Sequence, residues 1–418
     1  EIYNHCEIRQ QLYALGYIFQ TDTDTEILVH GYQEWGKEVL NRLDGMFAFI
    51  IYDSKKNHFL AARDHIGIKP LYYLYDEEVY YIASEMKALL FLNKDIQILK
   101  PGYFLTKNGE EEYFRLAVQQ LEEINEEQII STFKELLFSA VHKMVQTDLP
   151  IGVIFSGGLD SAAVLSIAKR YQPDIIAFTA GLKGSSDIEI SRRYCQENNI
   201  PQYIAHLSID DVIQDLPEAI YYAETFEMID VMDFCITSSA MRLAHKAGIK
   251  VVLGGDGSDE ILAGYQLFKT HPDPVHLMTY RLSNLHRTDL QRADRSSMRH
   301  SIEARVPFLD KAFLNFAYNV PMTLKLRQET EKWILREALK DLLPAYIAWR
   351  PKIRMAEGAG LQAQLLEFVS KQPVSIDAAT LANLKLNPIE AYFLELYLQM
   401  GYPVPHERYK QASLDFAR

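Results

Sequence analysis

The chain has 418 residues, 48% of them hydrophobic and 24% charged, with a formal net charge of −13. This is the composition of a soluble globular protein with room for two or three domains, and its acidic balance argues against a general nucleic-acid or anionic-membrane surface. No apolar run reaches the ~18 residues of a membrane span. Cys6, Cys195 and Cys235 show neither metal-ligand spacing nor a disulfide framework, so a reducing cytoplasm is the expected setting.

Near the start, Ile8, Leu12 and Leu15 recur at helical spacing. Residues 16–19 read as a strand, and 21–26 as a polar turn capping a second helix that runs to Trp35. Glu26 stands three residues after Thr23, the capping-box spacing. Cys6 reads as a semi-buried helix cysteine. Segments 46–52, 58–62, 71–75 and 79–83 are short, β-branched or aromatic, and bounded by turn residues; they predict an antiparallel sheet. A further strand at 102–106 and a Lys-Asn-Gly turn precede an acidic run at 122–127, which marks a boundary between domains at 1–120 and 128–418.

Residues 129–145 predict an amphipathic helix leading into Ile151-Gly152-Val153-Ile154-Phe155, a buried strand. Ser156-Gly157-Gly158 breaks that strand, and Asp160-Ser161 opens a helix. Adjacent glycines let backbone N–H groups approach an anion, and the helix N-terminus adds a positive dipole end. The pattern fits a phosphate loop, although not the Walker type, and an ordinary strand–turn–helix junction is the bland alternative. Strands and helices then alternate through 254, which predicts a parallel sheet covered on both faces, with ligands beyond the carboxyl ends of its strands. A second loop, Gly254-Gly255-Asp256-Gly257-Ser258-Asp259-Glu260, carries three glycines and three carboxylates. It reads either as a flexible acidic turn or as a cation site, because clustered carboxylates repel one another unless a cation sits among them. On the second reading Asp160 and Asp259 share Mg²⁺. Further on, Arg305 beside Pro307 predicts a structural ion pair, Lys352 is the candidate cation for charge developing on phosphoryl oxygens, and Tyr392, Phe393, Leu396 and Tyr397 predict core packing.

The string Ser-Gly-Gly-Leu-Asp-Ser resembles the pyrophosphate loop of the ATP pyrophosphatases, and the whole stretch is similar to that of the asparagine synthetase family. A second resemblance lies upstream, in Thr23-Asp24-Thr25-Glu26, Leu43-Asp44-Gly45-Met46-Phe47-Ala48-Phe49, Arg63-Asp64-His65-Ile66-Gly67-Ile68-Lys69-Pro70 and Ser84-Glu85-Met86-Lys87. These look like the second half of a class II glutamine amidotransferase domain. The resemblance therefore implies an α/β chain: a partial αββα (Ntn-hydrolase-like) antiparallel domain, followed by a parallel α/β adenine-nucleotide synthetase domain with a helical C-terminal part. The family's Asn-Gly oxyanion pair and its nucleophilic cysteine belong to a half that this sequence does not contain, and a half-sandwich would expose long sheet edges; the expectation is that they precede Glu1. The segment between His271 and Asn284 is also short against the family.

Carried over residue by residue, the resemblance gives Asp24 the α-amino group of glutamine. Ile154, Ala180, Gly254 and Gly255 lie near the adenosine, and Ser156, Gly157, Gly158, Asp160 and Ser161 hold the pyrophosphate. Asp256 lies near the acyl-adenylate, Asp289 matches an active-site carboxylate, and Lys352 matches the lysine that meets the polyphosphate. The implied activity is glutamine-dependent amide ligation: ATP and Mg²⁺ activate a carboxylate, aspartate or a related acid, as acyl-AMP, and ammonia then displaces AMP. The implied partners are small molecules, with a homodimer compatible and neither nucleic acid nor membrane involved. One departure bears on the acid. Where typical members carry a stretch resembling Ile-Arg-Ala-Ser-Thr-Pro-Met, this chain has Val231-Met232-Asp233-Phe234-Cys235-Ile236-Thr237. The arginine of that stretch is absent, and an aspartate in its place would repel a dicarboxylate such as aspartate and suit an acid bearing an amine or hydroxyl, provided that Asp233 lies near the nucleotide site. The alternatives are a β-lactam or lasso-peptide synthetase-like ligase with no glutaminase, and a non-catalytic relative; the latter should have lost Asp160, Asp259 or Lys352.

Overall fold

A computed structural model describes residues 1–118, 125–386 and 388–405. The chain forms two compact units, Glu1–Val118 and Gln119–Arg418.

In the first unit, helices His5–Ala14 and Asp24–Trp35 bury Ile8, Leu12, Ile27 and Leu28 against a sheet whose core includes Leu60, Ala62 and Phe104. Its strands are β1 (Ala48–Asp53), β2 (His58–Arg63), β3 (Tyr72–Asp76), β4 (Val79–Ala83), β5 (Gln97–Ile98), β6 (Tyr103–Thr106) and β7 (Gly109–Glu112). They form two antiparallel sheets, ordered β1-β2-β6-β7 and β4-β3-β5. The Arg-Asp pair that ends β2 ties the sheets' connections together. The buried Arg63 guanidinium donates to the carbonyls of Lys69, Leu99 and Gly67 at 2.7, 2.7 and 3.0 Å. The Asp64 carboxylate accepts from the backbone N–H of Phe47, Ile68 and Lys69. A buried charge is tolerated only with such full pairing.

Three local expectations fail in this unit. Residues 16–19 form no strand: the helix ends at Ala14, Gly16 takes φ +93°, and Ile18 is exposed, so the apolar run there is a loop following a helix C-terminus. The Thr23–Glu26 capping box does not close. The Thr23 side chain caps nothing, and the Glu26 carboxylate reaches further back, to the N–H groups of Gln20 and Thr21 at 2.8 and 2.7 Å. Cys6 is exposed, because it lies two residues from the inward-facing Ile8 and so on another helix face.

The second unit is built on one five-stranded parallel sheet, ordered β10-β9-β8-β11-β12. Its strands are β8 (Ile151–Ile154), β9 (Ile176–Leu182), β10 (Gln202–Leu207), β11 (Val251–Leu253) and β12 (Glu303–Arg305). The chain adds strands outward from β8 to β10, then returns to place β11 on the other side of β8. That reversal is the switch point at which the loops after neighbouring strands part and leave a crevice. Near-continuous apolar strands (Val153, Phe155, Ala177, Phe178, Val251, Val252) are buried on both faces. Helices Glu126–Met144, Leu159–Tyr171, Ser186–Glu197 and Met228–Lys246 supply the cover, with Phe133, Leu165, Ile188 and Phe234 fully buried. Each such side chain contributes about 1.5–3 kcal/mol. Gly152 is required by that packing: a Cβ would fall 2.7 Å from the Phe178 ring. Arg305 makes the expected ion pair, with Glu303 at 2.6 Å, and also donates to the Met144 carbonyl at 2.8 Å. Phe393, Leu396 and Tyr397 are buried, in keeping with a packing role. Residues 122–124 of the expected linker lie outside the described residues; Asn125 caps the helix that follows, its side chain accepting from Gln128 N–H.

Candidate active site

The two loops at the switch point touch backbone to backbone. Gly157 holds φ +73° between Ser156 and Gly158, a conformation that a β-carbon disfavours. Ser161 Oγ donates to the Gly158 carbonyl at 3.2 Å and closes the turn over the start of helix Leu159–Tyr171. From the neighbouring strand, Gly255 packs so closely that a Cβ would stand 2.9 Å from Asp160 Cβ and 3.1 Å from Ser161 N. Glycine in both loops is what lets the carboxylates of Asp160 and Asp259 share one space.

Lysines fill that space. Lys332 Nζ is 2.5 Å from Asp160 Oδ2 and 2.6 Å from Asp259 Oδ1, and Lys352 Nζ is 2.6 Å from Asp259 Oδ2. Ser258 Oγ donates to Asp160 Oδ1 at 2.7 Å. Burial favours the neutral acid at Asp259, but the two ammonium groups outweigh it and hold its carboxyl down at about 2. Burial would likewise discharge Lys352, yet Asp259 and Asp160 raise its affinity for the proton above the ordinary value. Both partners stay ionised.

Above this cluster lies a cavity of about 660 Å³. Ile154, Ser156, Gly158, Asp160 and Ser161 line it from the first loop, and Gly254, Gly255, Asp256 and Asp259 from the second. Asp289 and Lys352 reach it from later in the chain, and Asp233 from helix Met228–Lys246. Gly157 and Ala180 are not among the lining residues: the Gly157 carbonyl accepts from Arg350 at 3.0 Å, and Ala180 lies buried in β9 opposite Ala205. Asp24 stands in the first unit, where its Oδ2 accepts from Ile2 N–H at 3.0 Å.

The far wall is an alternation of charges. Arg292 donates to Asp256 at 2.6 Å and lies 3.5 Å from Asp289. Burial works against its charge, and Asp256, Asp289, Asp233 and Asp230 together hold the proton on. Glu260 accepts from Tyr265 Oη at 2.6 Å and from Arg281 at 3.3 Å; burial and the nearby Asp289 raise its pKa. Arg350 fastens the first loop by its bond to Gly157 and by a 2.8 Å pair with Asp187. Asp233 Oδ1 accepts from Ala356 N–H at 3.0 Å, which ties helix Met228–Lys246 to the segment that carries Lys352.

Sequence reasoning missed Lys332, Arg292, Arg350 and Gly264. For Arg292 the signal is present: it follows Asp289 by three residues on helix Asp289–Met298, so the two share a face. Lys332 sits in the polar run Arg327-Gln328-Glu329-Thr330-Glu331-Lys332, which reads as a solvated turn, and nothing local marks it as buried.

A crevice at a parallel sheet's switch point, in a chain that also carries an antiparallel unit, is the arrangement of a two-unit α/β protein with a ligand site beyond its strand ends. A glutamine amidotransferase domain model matches residues 1–144, and an asparagine synthase model matches residues 132–273 and 269–381. The chain belongs to the asparagine synthase family. It is 33% identical over 434 residues to asparagine synthetase B [glutamine-hydrolyzing] of Escherichia coli (strain K12), a match covering 97% of this chain and 78% of that one. With asparagine synthetase [glutamine-hydrolyzing] 1 of Arabidopsis thaliana it shares 32% identity over 439 residues, 96% of this chain and 74% of the other. The probable asparagine synthetase [glutamine-hydrolyzing] of Dictyostelium discoideum matches at 33% over 398 residues, 86% of this chain and 72% of that one. No helix among the described residues is long and apolar enough to cross a membrane.

Proposed function

We propose that this chain uses ATP to activate aspartate or a related acid as acyl-AMP and amidates it with ammonia drawn from glutamine. Residues 128–418 carry the synthetase chemistry and 1–120 belong to the amidotransferase. The observation that carries the reading is the run Lys352–Asp259–Lys332–Asp160 at the mouth of a loop whose backbone N–H groups and helix N-terminus suit an anion. Ser156, Gly158 and Ser161 cradle the β- and γ-phosphates, Gly157 holds the turn between them, and Ile154, Gly254 and Gly255 border the adenosine. Lys352 meets the negative charge that grows on the departing pyrophosphate. Asp256 and Asp289, aligned by Arg292, face the acyl group. A divalent cation fits the donor set: Asp160 and Asp259 offer the hard carboxylate oxygens that Mg²⁺ prefers, from two adjacent strand ends. When bound, the ion would neutralise charge on the pyrophosphate. In the other unit, Asp24 receives the glutamine α-amino group.

Asp233 bears on the choice of acid. It lines the same cavity as Ile154 and Ser156, so the acid is one with an ammonium or hydroxyl group to set against that carboxylate. ATP–pyrophosphate exchange measured across candidate acids tests the proposal. Exchange should depend on an added acid, with a monocarboxylate bearing an amine or hydroxyl favoured over aspartate if Asp233 selects it, and the failure of every acid tried to support exchange would overturn the ligase reading.

A further inference from the structure

Lys332 belongs to the charge run at the site but is given no step of its own in the proposed chemistry, although it is the most enclosed cation lining the cavity, its side chain only 2% exposed. Its Nζ stands between the two carboxylates read above as metal ligands, 2.5 Å from Asp160 Oδ2 and 2.6 Å from Asp259 Oδ1. The remaining oxygens are taken by Ser258 Oγ at 2.7 Å and Lys352 Nζ at 2.6 Å. Three of the four carboxylate oxygens accept hydrogen bonds, Asp259 Oδ1 has the ion-pair contact with Lys332 but no hydrogen bond, and the charges of Asp160, Asp259, Lys332 and Lys352 cancel. Gly264 locks the arrangement from behind: a Cβ there would fall 2.1 Å from Asp259 Oδ1 and 2.2 Å from Lys332 Cε. An arriving divalent cation would have to take oxygens from an ammonium already seated on both, and would leave these four groups and the ion with a net charge of two in a largely buried cluster.

We infer that Lys332 makes divalent-cation binding at Asp160 and Asp259 conditional on a bound polyphosphate. The anion's charge removes the imbalance, so metal and polyphosphate enter together and neither carboxylate is left without a cation beside it. Lys332 is on this view a positioning residue that stands in for the metal. The inference rests on the reading of Asp160 and Asp259 as metal ligands, and the test separates the two.

Mn²⁺ is the probe, followed by the paramagnetic resonance signal of the free ion in the presence of the intact chain. The wild-type protein alone should show no saturable binding tighter than ~1 mM. Inorganic pyrophosphate should bind it at least tenfold more tightly with Mn²⁺ than without. Lys332→Gln should bind Mn²⁺ alone at least tenfold more tightly than wild type, and its melting temperature should rise with added Mn²⁺ while that of wild type does not. Lys332→Arg, which keeps the charge, should behave as wild type. Sub-millimolar Mn²⁺ binding by the wild-type protein without pyrophosphate overturns the inference, a result that needs no variant to fold. So does a folded Lys332→Gln protein with no gain in affinity. A gain that survives Asp160→Asn in the Lys332→Gln background would instead refute the metal-ligand reading.

Discussion

Replacing Lys352 by methionine removes the cation proposed to meet the departing pyrophosphate and takes from Asp259 one of its two lysine partners. Lys352 Nζ is 2.6 Å from Asp259 Oδ2, and its side chain is 30% exposed. A unit charge ~4 Å from a developing charge is worth about 4 kcal/mol at an effective dielectric of ~20. Solvent reaching the exposed third of the side chain reduces this to about 2–3 kcal/mol. At 1.36 kcal/mol per decade, the rate of ATP–pyrophosphate exchange should fall about 30- to 160-fold. Stability should hardly change, by less than about 1 kcal/mol in urea unfolding, because Asp259 keeps its second partner, Lys332, at 2.6 Å. The pairing of these two results is the test. Exchange within threefold of wild type would refute the charge argument. A loss of exchange matched by an equal loss of stability would show that Lys352 acts by holding the loop, not by meeting the phosphate.

Gly264→Ala adds one methyl group where Asp259 Oδ1 and Lys332 Cε leave no room, so exchange should drop at least tenfold while the glycine's neighbours in the core stay folded; unchanged exchange would show the cluster to be more yielding than its packing implies. Arg305→Met removes a buried guanidinium from its pair with the partly exposed Glu303 and from the Met144 carbonyl, and should cost about 1–3 kcal/mol in urea unfolding without altering the KM for ATP in the residual folded fraction. Lys325 is wholly buried, its Nζ donating to the Tyr318 carbonyl at 3.1 Å, and burial pushes its pKa from 10.5 to about 7. Between those values the unfolded chain holds a proton that the folded chain has released, so this group's contribution makes stability rise with pH from about 7 to 10.5. Below about 7 the folded chain also binds the proton, the contribution becomes level with pH, and its cost is complete. Lys325→Met should abolish that slope and raise stability near pH 7 by about 1–3 kcal/mol; an unchanged slope would locate the titration elsewhere.

The parts of the fold legible in the sequence are those whose physics is local. The strands of the first unit announce themselves by alternation and flanking turns, and 79–83 coincides with β4 residue for residue. The expected strand at 16–19 failed because two aromatic residues after a helix end mimic the start of an alternation, and Gly16 turns the chain before it can continue. Glu26 defeated the capping-box expectation for a related reason: spacing shows what a carboxylate can reach, and here the N–H groups of Gln20 and Thr21 competed successfully for it. Burial of Cys6 was a matter of helix phase, which Ile8 and Leu12 fix and composition does not.

The site divides along the same line. Both loops follow apolar strands and carry glycines that only a close approach requires, so their position at neighbouring strand ends was readable, and the structure brings eleven of the expected residues to one cavity: Ile154, Ser156, Gly158, Asp160, Ser161, Gly254, Gly255, Asp256, Asp259, Asp289 and Lys352. What the sequence could not show is how their charges are balanced. Two carboxylates at the ends of β8 and β11 appear, from the loops alone, to demand a metal. The ammonium already seated between them comes from Lys332, 172 residues beyond Asp160, out of a run of polar residues indistinguishable from a solvated turn. That partner is set by the sheet order, because only the return of the chain to place β11 beside β8 brings Asp259 to Asp160 and leaves a gap between them for a later lysine to fill. A carboxylate pair in a parallel sheet's crevice is therefore weak evidence for a resident cation until the cations of the remaining chain have been placed, and the dependence of Mn²⁺ binding on Lys332 decides which of the two kinds of charge the site was built around.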